Sequence, residues 1–354
     1  MLTVLDLFSG IGGFALGLEN SKHFEVKAFC EIESHCVKVL NKNFPDVPVF
    51  RDINKLTINK GQYDVFTGGF PCQDISIAGK NAGINGDRSG LWKQYKRLIK
   101  EGKPKYAIIE NVSALLGRGL EIILQDLAEI GYDAAWTTYD TKYFGKPQRR
   151  RRVYIIAVRD GIPADCDLFE VRSRDITENR RMLESINKSF KWDFKASEGD
   201  AHTFTFITRQ RSNQFKETGL SSTLAKRDYK SYTDLVLQNG NIRRVTPYER
   251  LNLQGFPQTW FNGCALTKQE MFTCNGMSVD VVEYIGKLLF KFDVIVNTEK
   301  DADFYADRKY RYIDENFDRG SYFKEVGKKW PSNFSLKWLL KKQDFIDLKG
   351  VTKC

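Results

Sequence analysis

Through the first 160 residues, apolar positions come in short dense runs, each followed by a stretch whose apolar residues recur at helical spacing. Strands buried on both faces read as near-continuous apolar runs, so this alternation predicts a parallel sheet covered on both sides. The runs predict strands near 2–8, 25–31, 48–52, 63–69, 105–111, 132–139 and 152–158. Helices are expected at 13–20, 33–42, 91–100 and 119–130, the last stopped by Gly131. From 160 to about 242 the pattern weakens into polar sequence with charges of both signs, which reads as a separate, smaller module. Regularity returns at Arg243–Pro257, and Ser278–Phe292 has the period of an amphipathic helix. The remainder is aromatic-rich and highly charged, with no internal repeat or low-complexity tract anywhere.

Composition narrows the class. A chain of 354 residues buries a full core and suggests two domains or one with insertions. No window approaches the roughly 18 apolar residues that a membrane span needs. The chain opens directly on an apolar run without a basic stretch or small-residue cleavage site, so a cytoplasmic protein is expected. Seven cysteines without a CxxC pair argue against a zinc site or disulfide framework and for free thiols in a reducing compartment. Net charge is +10 and clustered. Lys146–Arg152 holds five Lys/Arg in seven residues, and His202–Tyr232 holds six against two Asp/Glu, interleaved with Phe and Tyr. Clustered positive charge favours a nucleic-acid partner.

Candidate chemistry begins at Leu-Asp-Leu-Phe-Ser-Gly-Ile-Gly-Gly-Phe (5–14), with Gly10 and Gly12 in the turn after the first strand. Glycines there let backbone approach a ligand, and the following helix N-terminus favours a negative group. With Ala15 the spacing satisfies G-x-G-x-x-A, and Glu31 ends the second strand at a distance suited to ribose hydroxyls. The loop alone therefore leaves NAD and S-adenosylmethionine both open. Asp52, after the third strand, suits an adenine amino group. Further along, Pro71-Cys72 sits where an apolar strand breaks into a glycine-studded loop that runs to Gly90.

Six strings occur in order: Asp-Leu-Phe-Ser-Gly-Ile-Gly-Gly (6–13), Gly-Gly-Phe-Pro-Cys-Gln (68–73), Glu-Asn-Val (110–112), Gln-Arg-Arg-Arg-Arg (148–152), Arg-Val-Thr-Pro-Tyr-Glu-Arg-Leu-Asn-Leu-Gln-Gly-Phe-Pro (244–257) and Gly-Met-Ser-Val (276–279). With them the chain, over residues 1 to about 292, resembles the DNA (cytosine-5)-methyltransferase family. The resemblance implies an α/β fold: an S-adenosylmethionine-dependent, Rossmann-like mixed sheet with a smaller, irregular, mainly β target recognition domain. It divides the chain into 1–159 plus 276–295 for catalysis and cofactor, 160–275 for target recognition, and an extension over 296–354.

The same resemblance implies a mechanism and assigns residues. Carbon 5 of cytosine is a poor nucleophile, and a thiolate adding at carbon 6 makes the ring electron-rich enough to attack a methyl group. Cys72 would supply that thiolate, in a cationic neighbourhood that favours deprotonation. Glu110 would serve ring N3, Arg152 the carbonyl at position 2, and Arg150 would order the site. Along a strand alternate residues face opposite sides, so Arg150 and Arg152 should share one face and Arg149 and Arg151 the other. S-adenosylmethionine would be lined by Phe8, Gly10, Ile11, Gly12, Gly13, Glu31, Ile32, Asp52, Ile53, Pro71, Leu91, Ser278 and Val279, leaving S-adenosylhomocysteine as product. Met277 replaces the asparagine usual in the family, which removes a side-chain amide from the pocket.

A cytosine in duplex DNA would have to be flipped out, with residues 73–90 as a lid. Gln73, Arg88, Arg209, Arg211, Thr223, Lys226 and Arg227 are the candidate DNA contacts, with Lys230 beside them. The partners implied are double-stranded DNA and a cognate restriction endonuclease, with the enzyme a monomer on DNA. Three other readings stand beside this one, the first a binding module with the same fold and no catalysis, against which intact Cys72, Glu110 and Arg152 argue. An RNA cytosine-5 methyltransferase would use the same chemistry, and an NAD-dependent oxidoreductase would explain the glycine loop but leave Cys72, Glu110 and the arginine strand without purpose.

Overall fold

The computed structural model describes residues 1–71, 91–160, 204–208, 216–218, 220–224, 234–238, 241–267, 270–271 and 276–298. All seven expected strands form one sheet: β1 (Leu2–Leu7), β2 (Phe24–Cys30), β3 (Val49–Phe50), β4 (Val65–Gly68), β5 (Tyr106–Val112), β6 (Tyr132–Asp140) and β7 (Arg151–Arg159). Their order is β3-β2-β1-β4-β5-β7-β6. The strands from β3 across to β5 pair in parallel. At β7, which runs antiparallel to both β5 and β6, the wholly parallel sheet suggested by periodicity alone gives way to the mixed sheet that the family resemblance implies. Residues 141–150 between β6 and β7 hold only a 3-10 turn, Thr141–Phe144. A parallel return needs a crossover of a dozen or more residues, and this connection is too short for one.

Helices cover both faces: α1 (Gly13–Asn20), α2 (Ser34–Asn43), α3 (Leu91–Gly102) and α4 (Leu120–Glu129), then α5 (Pro247–Leu253) and α6 (Val279–Thr298). Strand alternation divides the core in two. Leu5, Leu7, Ala107, Ile109 and Ile155 point to the side where Trp92, Tyr95 and Leu98 of α3 and Ile123, Leu124 and Leu127 of α4 pack. Val4, Val65, Tyr106, Ile108, Tyr154 and Ile156 point to the other side, against Phe14 and Leu18 of α1 and Val281, Val282, Ile285 and Leu289 of α6. A Cβ on Gly17 would lie 2.6 Å from Val282 Cβ, so its absence lets α1 and α6 touch closely.

A second, antiparallel sheet has the order β11-β10-β8-β9, from β8 (Phe204–Thr208), β9 (Lys216–Thr218), β10 (Asp234–Gln238) and β11 (Asn241–Arg244). It leads into α5, whose start is a capping box. Thr246 Oγ1 accepts from Glu249 N at 3.2 Å, and Thr246 N donates to Glu249 Oε2 at 2.8 Å. No helix among the described residues is long and apolar enough to cross a membrane. The expected lid at 73–90 and the extension beyond Thr298 lie outside the described residues.

One charged group sits inside the large sheet. Asp6 is fully buried, and its Oδ1 accepts from Thr67 Oγ1 at 2.7 Å across the β1–β4 pairing. Its Oδ2 has no hydrogen-bond partner among the described residues. Burial pushes its pKa up to about 7; the Thr67 bond opposes this and the Glu31 charge reinforces it. Between the ordinary carboxylate pKa and about 7, the folded chain therefore keeps a proton that the unfolded chain has shed. Stability from this group is lost as pH rises through that window. Asp6→Asn should abolish this loss, so that variant and wild type diverge between acid and neutral pH at about 1.4 kcal/mol for each pH unit crossed in that window. Urea unfolding at pH 5 and pH 8 measures it, and parallel pH profiles would refute the assignment.

Candidate active site

The turn after β1 is strained in a way only its sequence permits. Phe8, Gly10 and Gly12 have φ of 53°, 56° and 86°. Ser9 ties the turn down, its Oγ donating to Asp6 O at 2.6 Å and its N–H to Cys30 O at 3.3 Å on β2. Glu31, just past β2, then joins two backbone segments: Gly10 N donates to Oε2 at 2.7 Å and Glu33 N to Oε1 at 2.8 Å. Burial raises the Glu31 pKa, and these two bonds oppose the rise. Each carboxylate oxygen keeps a further lone pair for a ligand hydroxyl.

Next to it Ile32 is 69% exposed, an apolar surface left uncovered beside the turn. Arg51 fixes this stretch from behind, donating to Glu31 O at 3.2 Å and Ile32 O at 2.7 Å. Asp52 Oδ1 accepts from both the N–H and the side-chain amide of Asn54 at 2.9 Å, which holds its carboxyl below the ordinary range. Arg97 of α3 donates to Ile53 O at 2.8 Å and Leu56 O at 3.1 Å, pinning the same loop.

The other half of the site is built by β5 and β7. Alternation along the arginine run is as expected: Arg149 and Arg151 are exposed, Arg150 is buried and Arg152 is half-buried. Val112 pairs with Arg152 and Glu110 with Tyr154, so Glu110 and Arg152 are diagonal neighbours on one face. Arg152 Nε lies 3.1 Å from Glu110 Oε1, with both side chains nearly buried. Arg150 donates to Gly276 O at 3.2 Å, and Arg151 turns away to Thr138 Oγ1 at 2.9 Å. Asn111 donates to Phe70 O at 3.2 Å, so the same strand end also holds the backbone two residues before Cys72.

Both halves open into one cavity of about 590 Å³, inside the roughly 300–1,000 Å³ typical of ligand sites. Phe8, Gly10, Glu31, Ile32, Asp52, Ile53, Pro71 and Leu91 line it together with Glu110, Arg150 and Arg152. Ile11, Gly12, Gly13, Ser278 and Val279 are not in its wall. Ile11 and Val279 pack in the core with Leu251 and Trp260, and Trp260 Nε1 donates to Ile11 O at 2.9 Å. A Cβ on Gly12 would meet Phe44 at 3.0 Å. These residues shape the turn from behind. Thr223 Oγ1 donates to Arg149 O at 2.8 Å. Cys72, Gln73, Arg88, Arg209, Arg211, Lys226, Arg227 and Lys230 lie outside the described residues.

Sequence reasoning missed several residues of the wall: Phe70, Asn111, Arg51, Cys30 and Leu224. Phe70 and Asn111 stand inside strings that were already conspicuous, and Leu224 completes a Thr-Leu pair of which only Thr223 was assigned a role. Cys30 faces the cavity, and burial pushes its thiol up to about 12, which disfavours the thiolate. Met277 lies where the two halves meet. Its Sδ is 3.9 Å from Tyr154 Oη, and it lies against both Gly13 and Gly69.

The C-5 cytosine-specific DNA methylase model matches residues 2–291. The Type II methyltransferase M2.BsuMI of Bacillus subtilis (strain 168) is 32% identical over 338 residues, 88% of this chain and 83% of that protein. The Type II methyltransferase M.NgoBI of Neisseria gonorrhoeae is 32% identical over 300 residues, 81% of this chain and 93% of its own length. Among solved structures, the Entamoeba histolytica methyltransferase EhMeth superposes with a TM-score of 0.58 at 19% identity, over 83% of this chain and 99% of that one. Spodoptera frugiperda DNMT2 superposes with a TM-score of 0.57 at 18% identity, over 82% and 100%.

The contact between Gly13 and Met277 makes a direct test of the site's packing. A Cβ at Gly13 would lie 2.6 Å from Met277 Cβ and 2.7 Å from Met277 N. One partner is backbone and cannot swing aside. Gly13→Ala should lower stability by about 1–3 kcal/mol, read as a shift of the urea midpoint. An unchanged midpoint would show that the 276–279 segment does not press on the glycine turn.

Proposed function

This chain belongs to the C-5 cytosine-specific DNA methylase family, and on that basis we propose that it transfers a methyl group from S-adenosylmethionine to carbon 5 of a flipped-out cytosine in a specific DNA sequence. The observation that carries the reading is the shared cavity. The glycine turn, Glu31 and Ile32 share its wall with Glu110, Arg152 and Pro71, the residue next to Cys72.

The residues fit the cofactor. Glu31 offers acceptors to ribose hydroxyls and Ile32 an apolar surface to adenine. Phe8, Gly10, Asp52, Ile53 and Leu91 complete that part of the wall, with Ile11, Gly12, Gly13, Ser278 and Val279 supporting it. S-adenosylmethionine supplies an electrophilic methyl group and leaves as S-adenosylhomocysteine.

The chain's own residues do the rest. Cys72, as thiolate, adds to carbon 6 of the flipped cytosine while Glu110, having taken up a proton, donates a hydrogen bond to N3. Arg152 neutralises charge that develops toward the carbonyl at position 2, and its ion pair with Glu110 keeps both groups aimed at one ring. Arg150 anchors the strand to Gly276. Carbon 5 then takes the methyl group, the proton it carried passes to a solvent water, and the released electron pair expels the Cys72 thiolate.

The small sheet and the residues around it, 160–275, form the target recognition module. Thr223, Arg209, Arg211, Lys226 and Arg227 contact DNA there, with Gln73 and Arg88 contributing from the lid. The enzyme acts as a monomer in the cytoplasm, beside a cognate restriction endonuclease.

Purified wild type should transfer labelled methyl groups to duplex DNA and not to structured RNA. Cys72→Ala should lose at least about 1,000-fold in that rate while still binding S-adenosylmethionine by calorimetry. Duplex DNA carrying 5-fluorocytosine should trap the wild type as a covalent complex, because fluorine cannot leave as a proton. Robust transfer by Cys72→Ala would end the covalent mechanism, and transfer to RNA alone would end the DNA assignment.

A further inference from the structure

Thr223 and Leu224 belong to a short segment that joins the two sheets and is part of neither. Ser221 forms an isolated parallel bridge with Gln148: Arg149 N donates to Ser221 O at 2.8 Å and Ser221 N to Pro147 O at 2.7 Å. Gln148 Nε2 adds a bond to Ser222 O at 3.4 Å, and Thr223 Oγ1 one to Arg149 O at 2.8 Å. On its other side the segment meets one buried carboxylate, Asp234, the first residue of β10. Asp234 Oδ2 accepts from Ser221 Oγ at 2.7 Å and Ser222 N at 2.8 Å, and Oδ1 accepts from Ser222 Oγ at 2.7 Å. Leu224, two residues on, packs with Val236 of β10, Val245 and Leu253 and also reaches the cavity wall.

We propose that Asp234 is a positioning residue for target recognition: it locks the 221–224 segment against the Lys146–Arg149 approach to the arginine strand. The inference rests on the methyltransferase reading for its consequence, but not for its geometry. Three donors converge on one carboxylate while the backbone of the same segment is held by the arginine strand's approach. Thr223 and Leu224 are therefore fixed relative to Arg150 and Arg152. A shift of the small sheet on DNA is passed to those arginines through Asp234 and not through a loose loop. An aspartate suits the task because hydrogen bonds to a charged acceptor are stronger than neutral ones, and burial shields them from water.

The test uses full-length Asp234→Ala and Asp234→Asn in two measurements. In hydrogen exchange, Asp234→Ala should deprotect peptides covering 220–224 and 146–149 while those from β1, β4 and β5 stay protected. In methylation of cognate duplex DNA, it should lower kcat/KM at least about tenfold, through KM for DNA, with cofactor affinity unchanged. Asp234→Asn keeps an oxygen for the Ser221 hydroxyl and the Ser222 N–H, and its amide can donate to the Ser222 hydroxyl. It should restore most of both properties. Unchanged exchange in Asp234→Ala overturns the lock. Altered exchange with wild-type kinetics overturns its role in recognition, and loss of protection across the whole large sheet reduces Asp234 to a folding residue. If wild type itself methylates no DNA, the proposed function fails, and the exchange measurement still decides whether Asp234 holds the segment.

Discussion

The site depends on the reversed direction of β7. In a doubly wound sheet, ligand-facing residues lie at the carboxyl ends of parallel strands. Because β7 runs against its neighbours, it brings its amino end to that same edge. Glu110 near the end of β5 and Arg152 near the start of β7 therefore meet at 3.1 Å. Were β7 parallel, the arginines would emerge at the opposite edge of the sheet, a strand's length from the glycine turn. The reversal also brings residues 146–150 past the small sheet on their way in, and the bridge to Ser221 forms there.

The cavity that results has charges of both signs in its wall: the carboxylates of Glu31, Glu33, Asp52 and Glu110 and the guanidinium groups of Arg51, Arg150 and Arg152. Four of these charges are held by frameworks of their own: backbone N–H groups on Glu31, Asn54 on Asp52, Gly276 O on Arg150 and Glu110 on Arg152. Such fixed groups need little reorganisation when charge develops beside them, which is how preorganised sites stabilise it. Met277 adds a polarizable thioether to the same wall, a softer contact than an amide would make there.

Much of this was legible in the chain because it is local. Strands such as Tyr132–Asp140 and helices such as Gly13–Asn20 follow from periodicity and a few stop signals, and the two faces of the arginine run follow from the pleat. What was not legible is what brings distant residues together. The wholly parallel sheet that periodicity suggests gives way at β7 because direction is set by the length of 141–150, not by apolar content. Ile11 and Val279 carry motif positions yet serve the core, since an apolar residue beside a glycine turn can face either way. Asp234 stood in a polar stretch without readable periodicity; its value lies in two serines a dozen residues earlier that fold back onto it.

The position of α6 has a consequence for synthesis of the chain. One face of the large sheet, with Val65, Tyr106, Ile108, Tyr154 and Ile156, is sealed by Val281, Val282, Ile285 and Leu289 of a helix that is translated after both sheets. Until that helix leaves the ribosome, the strands can pair and α3 and α4 can cover their own side, but the opposite side, with α1 against it, stays partly open. Contacts so far apart in sequence are slow to close, and an uncovered sheet face invites association with other chains. The nascent protein thus passes through a stage in which one side of its core is finished and the other is still adhesive, and α6 ends that exposure.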